Sequence, residues 1–421
     1  MQRNRTIWIA GCALWLGIAG QAATLQDYAK EYRKQLAEKI MPYWYDTMDR
    51  EHGGYLLADA LSGRQVATDK SLVTQSRMVW GFAHADIKGF SDKQHNYLKA
   101  AEHGYRFLLE HFRDPENGGY YWKLGTDGKI LDDRKILYGQ CFVIYAMVEY
   151  SRASGRQEPI DRAMELYRSI QQRSHDANND GWFEHFKRDW TPLMQHDETI
   201  VVELGGHKSA NTHLHLMECL TELYDVTHHS EVKKSLEECL RLNQDYFYPL
   251  EAGKSCFHRQ PDWRLVTRPA SAGLSYGHNV EFAWLMIRAE LVLGRKPSWS
   301  HFNAHLEHAL KYGYDWINGG IYARGIDNQP ATATEKVWWA EAELIAALTD
   351  GLKRKWNPMY EAALEKQIRF IAEKQTAPDG IWLDTVTSEG NPKSPGKAHA
   401  WKANYHDVRA MVKFMEAFEK D

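Results

Sequence analysis

Apolar residues recur along this chain at helical spacing, with positions i, i+3, i+4 and i+7 apolar over stretches of about a dozen residues. Two kinds of stretch alternate, one before and one after a short polar turn. Those before the turns predict helices over residues 105–112, 160–170, 236–246, 302–312 and 359–371. Those after the turns predict helices over residues 72–85, 135–150, 211–224, 278–293, 337–352 and 406–418.

The turns themselves form a repeat. DREHGGYL at residues 49–56 returns as DPENGGYYW, DANNDGWFEHF, NGGIYARG and PDGIWLD, at a spacing of about 65 residues with one double gap. A weaker turn at Gly253 divides that gap, which gives six units. Glycine permits a positive φ in such turns, and the aromatic or β-branched residues that follow predict very short strands.

Six units of two helices each predict a closed ring. Every helical hairpin has an apolar face that needs a partner, and a ring with one set of helices inside and the other outside satisfies all six. The predicted fold is therefore an all-α (α/α)6 barrel, with short Gly-Gly β-turn connections at one end. An open superhelix of the same hairpins is the alternative. Because no linker interrupts the period, we expect residues 23–421 to form one domain.

The first turns of the inner helices carry the candidate chemistry. Consecutive inner helices of such a ring run parallel, so their polar and aromatic openings gather at one mouth. One pocket then collects Arg77, Tyr138, Asn211, His215, Glu218, His278, Glu281, Trp338, Trp401 and His406.

Three histidines at one mouth allow two interpretations. His215, His278 and His406 could bind zinc, but none has the i, i+4 partner typical of a metalloprotease helix, and we expect no metal. Two histidines on either side of a carbon can instead remove a proton from one face and return it to the other. Glu281, three residues after His278, would orient that ring, and Arg77 would stabilise an enediolate.

A glycoside hydrolase or lyase on the same barrel is the alternative from another reaction class. Hydrolysis needs two carboxylates across the glycosidic bond, and Glu218, Glu281, Glu343 and Asp407 are available. The positions of the histidines favour proton transfer at carbon over this alternative. A non-catalytic sugar-binding barrel is a third possibility, supported only by the aromatic residues.

The amino-acid composition narrows the class of ligand that this pocket is expected to bind. The 421 residues include 16 Trp and 22 Tyr, and Trp338 and Trp401 lie where a ring face can stack on a sugar. The formal net charge of -4 gives no basic surface for nucleic acid and suits an uncharged substrate.

The first 22 residues have the form of a secretory signal peptide. Arg3 and Arg5 precede an apolar run over residues 7–18, and Gly20-Gln21-Ala22 forms a small-x-small cleavage site. We therefore expect a periplasmic or secreted protein without a membrane anchor after cleavage. Lipidation at Cys12 is the alternative route.

Several motifs resemble a known family. SYGHNVEFAWLM at residues 275–286, KSANTHLHLMEC at 208–219, KVWWAEAE at 336–343 and WKANYHDVRA at 401–410 are similar to signatures of the N-acylglucosamine 2-epimerase superfamily. Their details resemble its cellobiose or mannobiose 2-epimerase branch more than the N-acylglucosamine branch. The resemblance implies an (α/α)6 barrel and cofactor-free epimerisation at C2 of a reducing-end sugar.

The resemblance also implies roles for individual residues. His278 and His406 would be the two acid/base groups, and Arg77 and His215 would hold the O1/O2 region of the sugar. Tyr138, Asn211, Glu218, Glu281, Trp338 and Trp401 would support binding. The partner expected is a small sugar, and the protein is expected to be a monomer or a weak homodimer.

The chain departs from the family pattern at Ala403, Asn404, Asp407 and the pair Ala340-Glu341. Asp407 and Glu341 are expected to add negative charge near the mouth. The departures leave open an aldose–ketose isomerase acting on mannose-type monosaccharides, and an N-acylglucosamine 2-epimerase.

Overall fold

The computed structural model describes residues 23–59, 65–66, 69–196, 199–200, 202–266, 274–394 and 396–419, so the predicted signal peptide lies outside the described residues. Helices α1 to α13 span Leu25–Gln35, Met41–Tyr45, Leu72–Ile87, Tyr97–Phe107, Leu137–Ser154, Glu158–Arg173, Ala210–Thr227, Ser230–Leu242, Tyr276–Val292, Trp299–Tyr312, Trp338–Arg354, Pro358–Phe370 and His406–Phe418. Single π-helical turns extend α1, α4, α8 and α12 by five residues each.

The helices form the predicted ring. Helices α3, α5, α7, α9, α11 and α13 pack side by side in chain order, and α13 returns to α3. Helices α4, α6, α8, α10 and α12 each pack outside the inner helix that precedes them. Helix α1, which the apolar pattern does not predict, supplies the sixth outer position by packing on α13. The (α/α)6 barrel is confirmed.

The apolar pattern of each helix matches its layer. Every residue from Leu137 to Tyr150 of α5 is buried, because this inner helix is surrounded by helices on all sides. Outer helix α6 buries a single stripe that includes Ile160, Met164 and Tyr167, and leaves its charged face to solvent.

Short strands link neighbouring units at one end of the barrel. Strands β1 to β14 span Ala58–Asp59, Gln65–Val66, Lys70–Ser71, Lys123–Leu124, Ile130–Asp132, Lys135–Ile136, His185–Phe186, Lys208–Ser209, His258–Arg259, Leu274–Ser275, Arg324–Gly325, Lys336–Val337, Thr385–Val386 and Pro392–Ser394. The strand before an inner helix pairs antiparallel with the strand after the next turn, as in β3–β4, β6–β7, β8–β9, β10–β11 and β12–β13. These pairs hold the starts of the inner helices at the same end.

A buried ion pair recurs beneath these strands. The lysine that precedes an inner helix contacts the aspartate that opens the glycine turn of its own unit. The Nζ–Oδ distances are 2.7 Å for Lys70–Asp49, 3.0 Å for Lys135–Asp114, 2.8 Å for Lys208–Asp176 and 2.9 Å for Lys336–Asp315. The unit around Gly253 has Pro249 and Leu274 at the corresponding positions. Both charges are absent there, so no ion is left buried alone.

A recurring hydrogen bond also joins the turn to the inner helix of its unit. Gly54 has φ +67°, and a Cβ there would lie 2.5 Å from Oε1 of Gln75, so glycine is required. That oxygen accepts the backbone N–H of Tyr55 at 2.9 Å. The equivalent acceptors are Gln140, His213, Asn279 and Glu341. His213 is therefore a structural histidine, directed away from the mouth.

The ring closes where the two ends of the described chain meet. The guanidinium of Arg33 on α1 donates to both carboxylate oxygens of Glu419, from Nε at 2.8 Å and from Nη2 at 2.6 Å. Beside them the rings of Tyr32 and Phe414 meet edge to face at 5.4 Å. Among the described helices, none combines the length and apolar character that a membrane crossing requires.

Candidate active site

A cavity of about 320 Å³ opens where the inner helices begin. It is lined by Arg77, Tyr138, Val202, Asn211, His215, His278, Trp338, Trp339, Trp401 and His406. Eight of the ten residues expected at the mouth thus lie on one cavity. The other two, Glu218 and Glu281, are buried and do not line it.

His406 presents a bare ring nitrogen. Its Nδ1 lies 2.6 Å from Oε1 of Glu343. Burial lowers the pKa of His406 to about 3 despite the opposing effect of Glu343, so the ring is neutral near pH 7. The single proton of the neutral ring then sits on Nδ1, because an ionised carboxylate can only accept. Nε2, without a hydrogen-bond partner among the described residues, is left as a proton acceptor.

Glu343 is fixed from two sides. Nη2 of Arg409 donates to its Oε1 at 2.7 Å, and the indole of Trp284 donates to its Oε2 at 2.9 Å. Burial raises the pKa of Glu343, but Arg409 and His406 outweigh it and lower the value to about 2. The sequence does not assign Glu343 this role, since its hydrogen-bond partners lie 59 to 66 residues away along the chain.

His215 is held by a second carboxylate, Glu218, which also binds the guanidinium of Arg409. Its Nδ1 lies 2.8 Å from Oε2 of Glu218, and the hydroxyl of Tyr405 donates to the other oxygen at 2.6 Å. Nη1 of Arg409 contacts that oxygen as well. Although burial opposes it, Arg409 and His215 lower the pKa of Glu218 to about 2. Glu218 thus orients a pocket residue from below.

His278 has different partners from those expected. Its Nδ1 lies 2.8 Å from the hydroxyl of Ser275, and its Nε2 lies 3.1 Å from Oδ1 of Asn211. The expectation that Glu281 orients this ring is therefore wrong. Glu281 receives a 3.3 Å hydrogen bond from Arg409 instead, and burial together with Glu343 raises its pKa well above the ordinary value. Helical spacing places Glu281 on the same face as His278, but Arg409 of α13 is its hydrogen-bond partner there.

Arg77 lies across the cavity wall. Its guanidinium donates to the backbone carbonyl of Trp401 at 3.0 Å and to the hydroxyl of Tyr138 at 3.1 Å. The group also lies over the ring of Phe142 at 4.3 Å. Nε of Arg77 is buried without a partner among the described side chains. The charge is thus held in place by aromatic packing and faces the pocket.

Tryptophans form the remaining wall. The ring of Trp339 lies 4.6 Å from that of His278 and 6.0 Å from that of His406, so one indole borders both histidines. The sequence does not single out Trp339, because a Trp at helical spacing is usually in the core. Trp401 is 40% exposed at the rim and lies 6.1 Å from Trp122. These faces suit the apolar side of a sugar.

The two acidic departures do not charge the mouth. Glu341 is buried between α11 and α12, where it accepts the N–H of Ile321 at 3.1 Å. Burial raises its pKa to about 8, so it is protonated near pH 7. Asp407 is also buried, which raises its pKa, and neither residue lines the cavity. The expected negative charge at the mouth is therefore wrong.

The charged groups beneath the cavity balance one another, and we call the region formed by Glu218, Glu281, Glu343 and Arg409 the floor of the site. Glu281, Glu343 and His406 converge closely enough to share a cation, but the guanidinium of Arg409 donates to both carboxylates and supplies positive charge there. Arg77 and Arg409 balance the ionised Glu218 and Glu343. A pocket with no net charge fits an uncharged ligand better than a phosphorylated one.

The chain as a whole is similar to known carbohydrate epimerases. The family model described as N-acylglucosamine 2-epimerase (GlcNAc 2-epimerase) matches residues 53–410. A cellobiose 2-epimerase of Dictyoglomus turgidum is 28% identical over 93% of this chain and 99% of the relative, and one of Bacteroides fragilis is 27% identical over 92% and 98%. The solved cellobiose 2-epimerase of Spirochaeta thermophila DSM 6192 superposes with a TM-score of 0.84 at 28% identity, covering 94% of this chain and 97% of that one.

Proposed function

This chain belongs to the N-acylglucosamine 2-epimerase family and is a carbohydrate 2-epimerase, and we propose how its site acts. The substrate proposed is an uncharged β-linked disaccharide of the cellobiose or mannobiose type, inverted at C2 of its reducing-end sugar. One observation carries the mechanism: His278 and His406, from α9 and α13, line one cavity with their ring nitrogens in different hydrogen-bonding states. The relatives with the same activity in their names support the choice of substrate.

His406 acts as the base in one direction. After the sugar ring opens, its bare Nε2 takes the C2 proton, and the electron pair of the C–H bond becomes the C1=C2 double bond. The carbonyl π electrons move to O1, which becomes an enediolate oxygen. His406 is then an imidazolium whose Nδ1–H still donates to ionised Glu343, so the new charge is formed next to a carboxylate.

His278 completes the inversion. Burial lowers the pKa of His278 well below its ordinary value, so the resting ring is neutral and takes up a second proton only for this step. The imidazolium delivers the Nε2 proton to the opposite face of C2, and the electrons return to restore the C1 carbonyl. His278 is left neutral, and exchange with water resets both rings. The epimeric sugar runs the same steps backwards, with the two histidines exchanging roles.

Arg77 and His215 stabilise the charge between these steps. The guanidinium of Arg77 is buried, and its position is fixed by Tyr138 and Phe142, so it needs no rearrangement when O1 becomes negative. His215, held by Glu218, faces the same cavity. We assign to these two residues the binding of O1 and O2.

Incubation with cellobiose in deuterated water tests the proposal. The wild-type protein is expected to give a C2 epimer of unchanged connectivity with deuterium at C2. His406→Asn and His278→Asn should each lose both epimer and label, while the exposed His229→Asn serves as a matched control. Full exchange in either of the first two variants would contradict the two-histidine assignment.

The same experiment separates the alternatives. Hydrolysis would split the disaccharide, and an aldose–ketose isomerase would return the proton to C1 and yield a ketose. The site offers hydrolysis little support, because none of the candidate carboxylates, Glu218, Glu281, Glu343 and Asp407, lines the cavity where a glycosidic bond would lie.

We also propose that residues 1–22 export the protein to the periplasm or the medium. The charge pattern at Arg3 and Arg5 and the site at Ala22 support cleavage before Ala23. N-terminal sequencing of the secreted fraction should return Ala-Thr-Leu-Gln. A lipidated N-terminus at Cys12 would overturn this proposal.

A further inference from the structure

A chain of hydrogen bonds leads from outside the cavity to His278. Nε2 of His258 lies 2.6 Å from Oε2 of Glu203, and Oε1 of Glu203 accepts from the amide of Asn211 at 3.1 Å. Oδ1 of Asn211 then lies 3.1 Å from Nε2 of His278. The side chains of Glu203 and His258 are only 7% and 9% exposed, so water competes little for these bonds. Neither of the two lines the cavity.

The carboxylate sets the direction of every bond in this chain. An ionised carboxylate accepts hydrogen bonds and donates none. Asn211 must therefore turn its NH2 toward Glu203, which leaves its carbonyl oxygen facing His278. A carbonyl oxygen in turn requires a proton on Nε2 of His278. The hydroxyl of Ser275 can donate or accept, so it adapts to either state of Nδ1.

The rest of the surroundings of His278 leaves this choice to Asn211. The ring packs edge to face against Phe257 at 5.0 Å and against Trp339 at 4.6 Å. Both neighbours are aromatic, and neither makes a described hydrogen bond to the imidazole. Asn211 is thus the one described partner of Nε2 that distinguishes a protonated from a bare nitrogen.

We infer that Glu203 is a positioning residue that places the proton on Nε2 of His278 through the amide of Asn211. The inference rests on the proposed function for its meaning, because Nε2 is the atom that returns a proton to C2. His406 receives the opposite arrangement, since its carboxylate binds Nδ1 directly and leaves Nε2 bare. One ring is therefore prepared as a donor and the other as an acceptor before substrate arrives.

Replacing the carboxylate by an amide tests the direction of the chain. Glu203→Gln puts a donor where only an acceptor stood, so either His258 or Asn211 must reverse its hydrogen bond. In the substrate-free protein labelled with 15N-histidine, NMR is expected to show Nε2–H on both His258 and His278 in the wild type. In Glu203→Gln at least one of these rings should shift its proton to Nδ1. Unchanged tautomers in both rings would overturn the inference.

A double variant provides the rescue. In Glu203→Gln/Asn211→Asp, the amide introduced at position 203 donates to the new carboxylate at position 211 and still accepts from His258. Position 211 then again only accepts, so both rings should return to the Nε2–H state. Failure of this rescue, with the fold intact by circular dichroism, would also contradict the inference. Glu231→Gln, on the outer helix α8, is the matched control for loss of one negative charge.

The kinetic consequence is measured separately. Glu203→Gln is expected to lower kcat for C2 exchange roughly tenfold, a part of the total contribution of general acid–base catalysis. The tautomers are read without substrate. A wild-type protein that shows no C2 exchange would therefore overturn the proposed function, while the NMR comparison would still decide the role of Glu203. Unchanged kcat in a variant with altered tautomers would remove the link to catalysis.

Discussion

At the scale of single residues, the neighbours of a buried acidic group decide its charge. Glu341 and Glu343 are two residues apart on α11 and both fully buried, yet their pKa values move in opposite directions. Glu343 faces the barrel axis, where Arg409 and His406 stabilise its ionised form. Glu341 faces the outer layer, where it accepts a backbone N–H and no cation contacts it in the described structure. Position on the helix, not residue type, separates an ionised carboxylate at the candidate site from a protonated one in the packing between helices.

Comparing substitutions of Glu343 and Glu341 provides a test of the site. Glu343→Gln removes the negative charge beside His406 and Arg409 and puts an NH2 group where two acceptor oxygens stood, so we expect kcat for epimerisation to fall roughly 100-fold or more. Glu341→Gln is the matched control, since the amide resembles the protonated acid already present. Steady-state rates at pH 7 with cellobiose measure both. Equal losses in the two variants would show that the effect is structural.

The raised pKa of Glu341 also leads us to predict that the free energy of unfolding depends on pH. Its folded pKa of about 8 is above the ordinary 4.5, so between these values the folded state binds a proton that the unfolded state has released. The unfolding free energy contributed by this group therefore falls as pH rises through that window. The unfolding free energy of Glu341→Gln, measured relative to wild type, should therefore rise by about 1 kcal/mol or more from pH 5 to pH 8. Urea unfolding at both pH values measures the gain, and a constant difference would contradict it.

At the scale of elements, the buried lysines connect turns to helices. Nζ of Lys336 binds Asp315 at 2.9 Å and also the carbonyl of Ser388 in the neighbouring unit at 2.9 Å. A single ammonium group thereby holds the start of an inner helix to two turns. Since Trp338 follows two residues later in the cavity wall, this contact positions part of the site.

Breaking one such pair should cost far more than replacing it. Lys336→Leu leaves Asp315 buried without its cation, and we expect a loss of about 3–5 kcal/mol of unfolding free energy. Adding Asp315→Asn removes the uncompensated charge and keeps an oxygen for the turn, so at least half of the loss should return. Denaturant unfolding of both variants measures this recovery. The unit with Pro249 and Leu274 shows that the fold tolerates absence of both charges.

At the scale of the whole molecule, closure depends on a contact between the two ends of the described chain. Helix α1 is the outer partner of α13, so the last inner helix is covered by the first helix rather than by one that follows it. His406 and Arg409 lie on α13. The seam that completes the ring therefore also supports the floor of the candidate site.

Apolar packing should close this seam, with the surface ion pair adding little. Tyr32 is 2% exposed, and Tyr32→Ala is expected to cost about 3–5 kcal/mol. The side chain of Arg33 is 51% exposed, and Arg33→Ala should cost only about 0.2–1 kcal/mol. Thermal and urea unfolding compare the two. A larger loss in Arg33→Ala would show that the ion pair closes the barrel.

The sequence by itself determined the six units, the inner helices and most of the residues at the mouth. These features follow from local rules, because helical periodicity and the recurring glycine turn are written within each unit of about 65 residues. The shared position of His278, His406, His215 and Arg77 on helix starts followed from the same repetition.

Only the tertiary structure decided which groups pair. Glu343 with His406, Asn211 with His278, and Arg409 with three carboxylates each join different helices of the ring, and no spacing rule along the chain encodes such contacts. The expected pairing of Glu281 with His278 was wrong for this reason. Whether a buried group is ionised depends on all the groups that surround it in space. Those groups come together only once the barrel has closed.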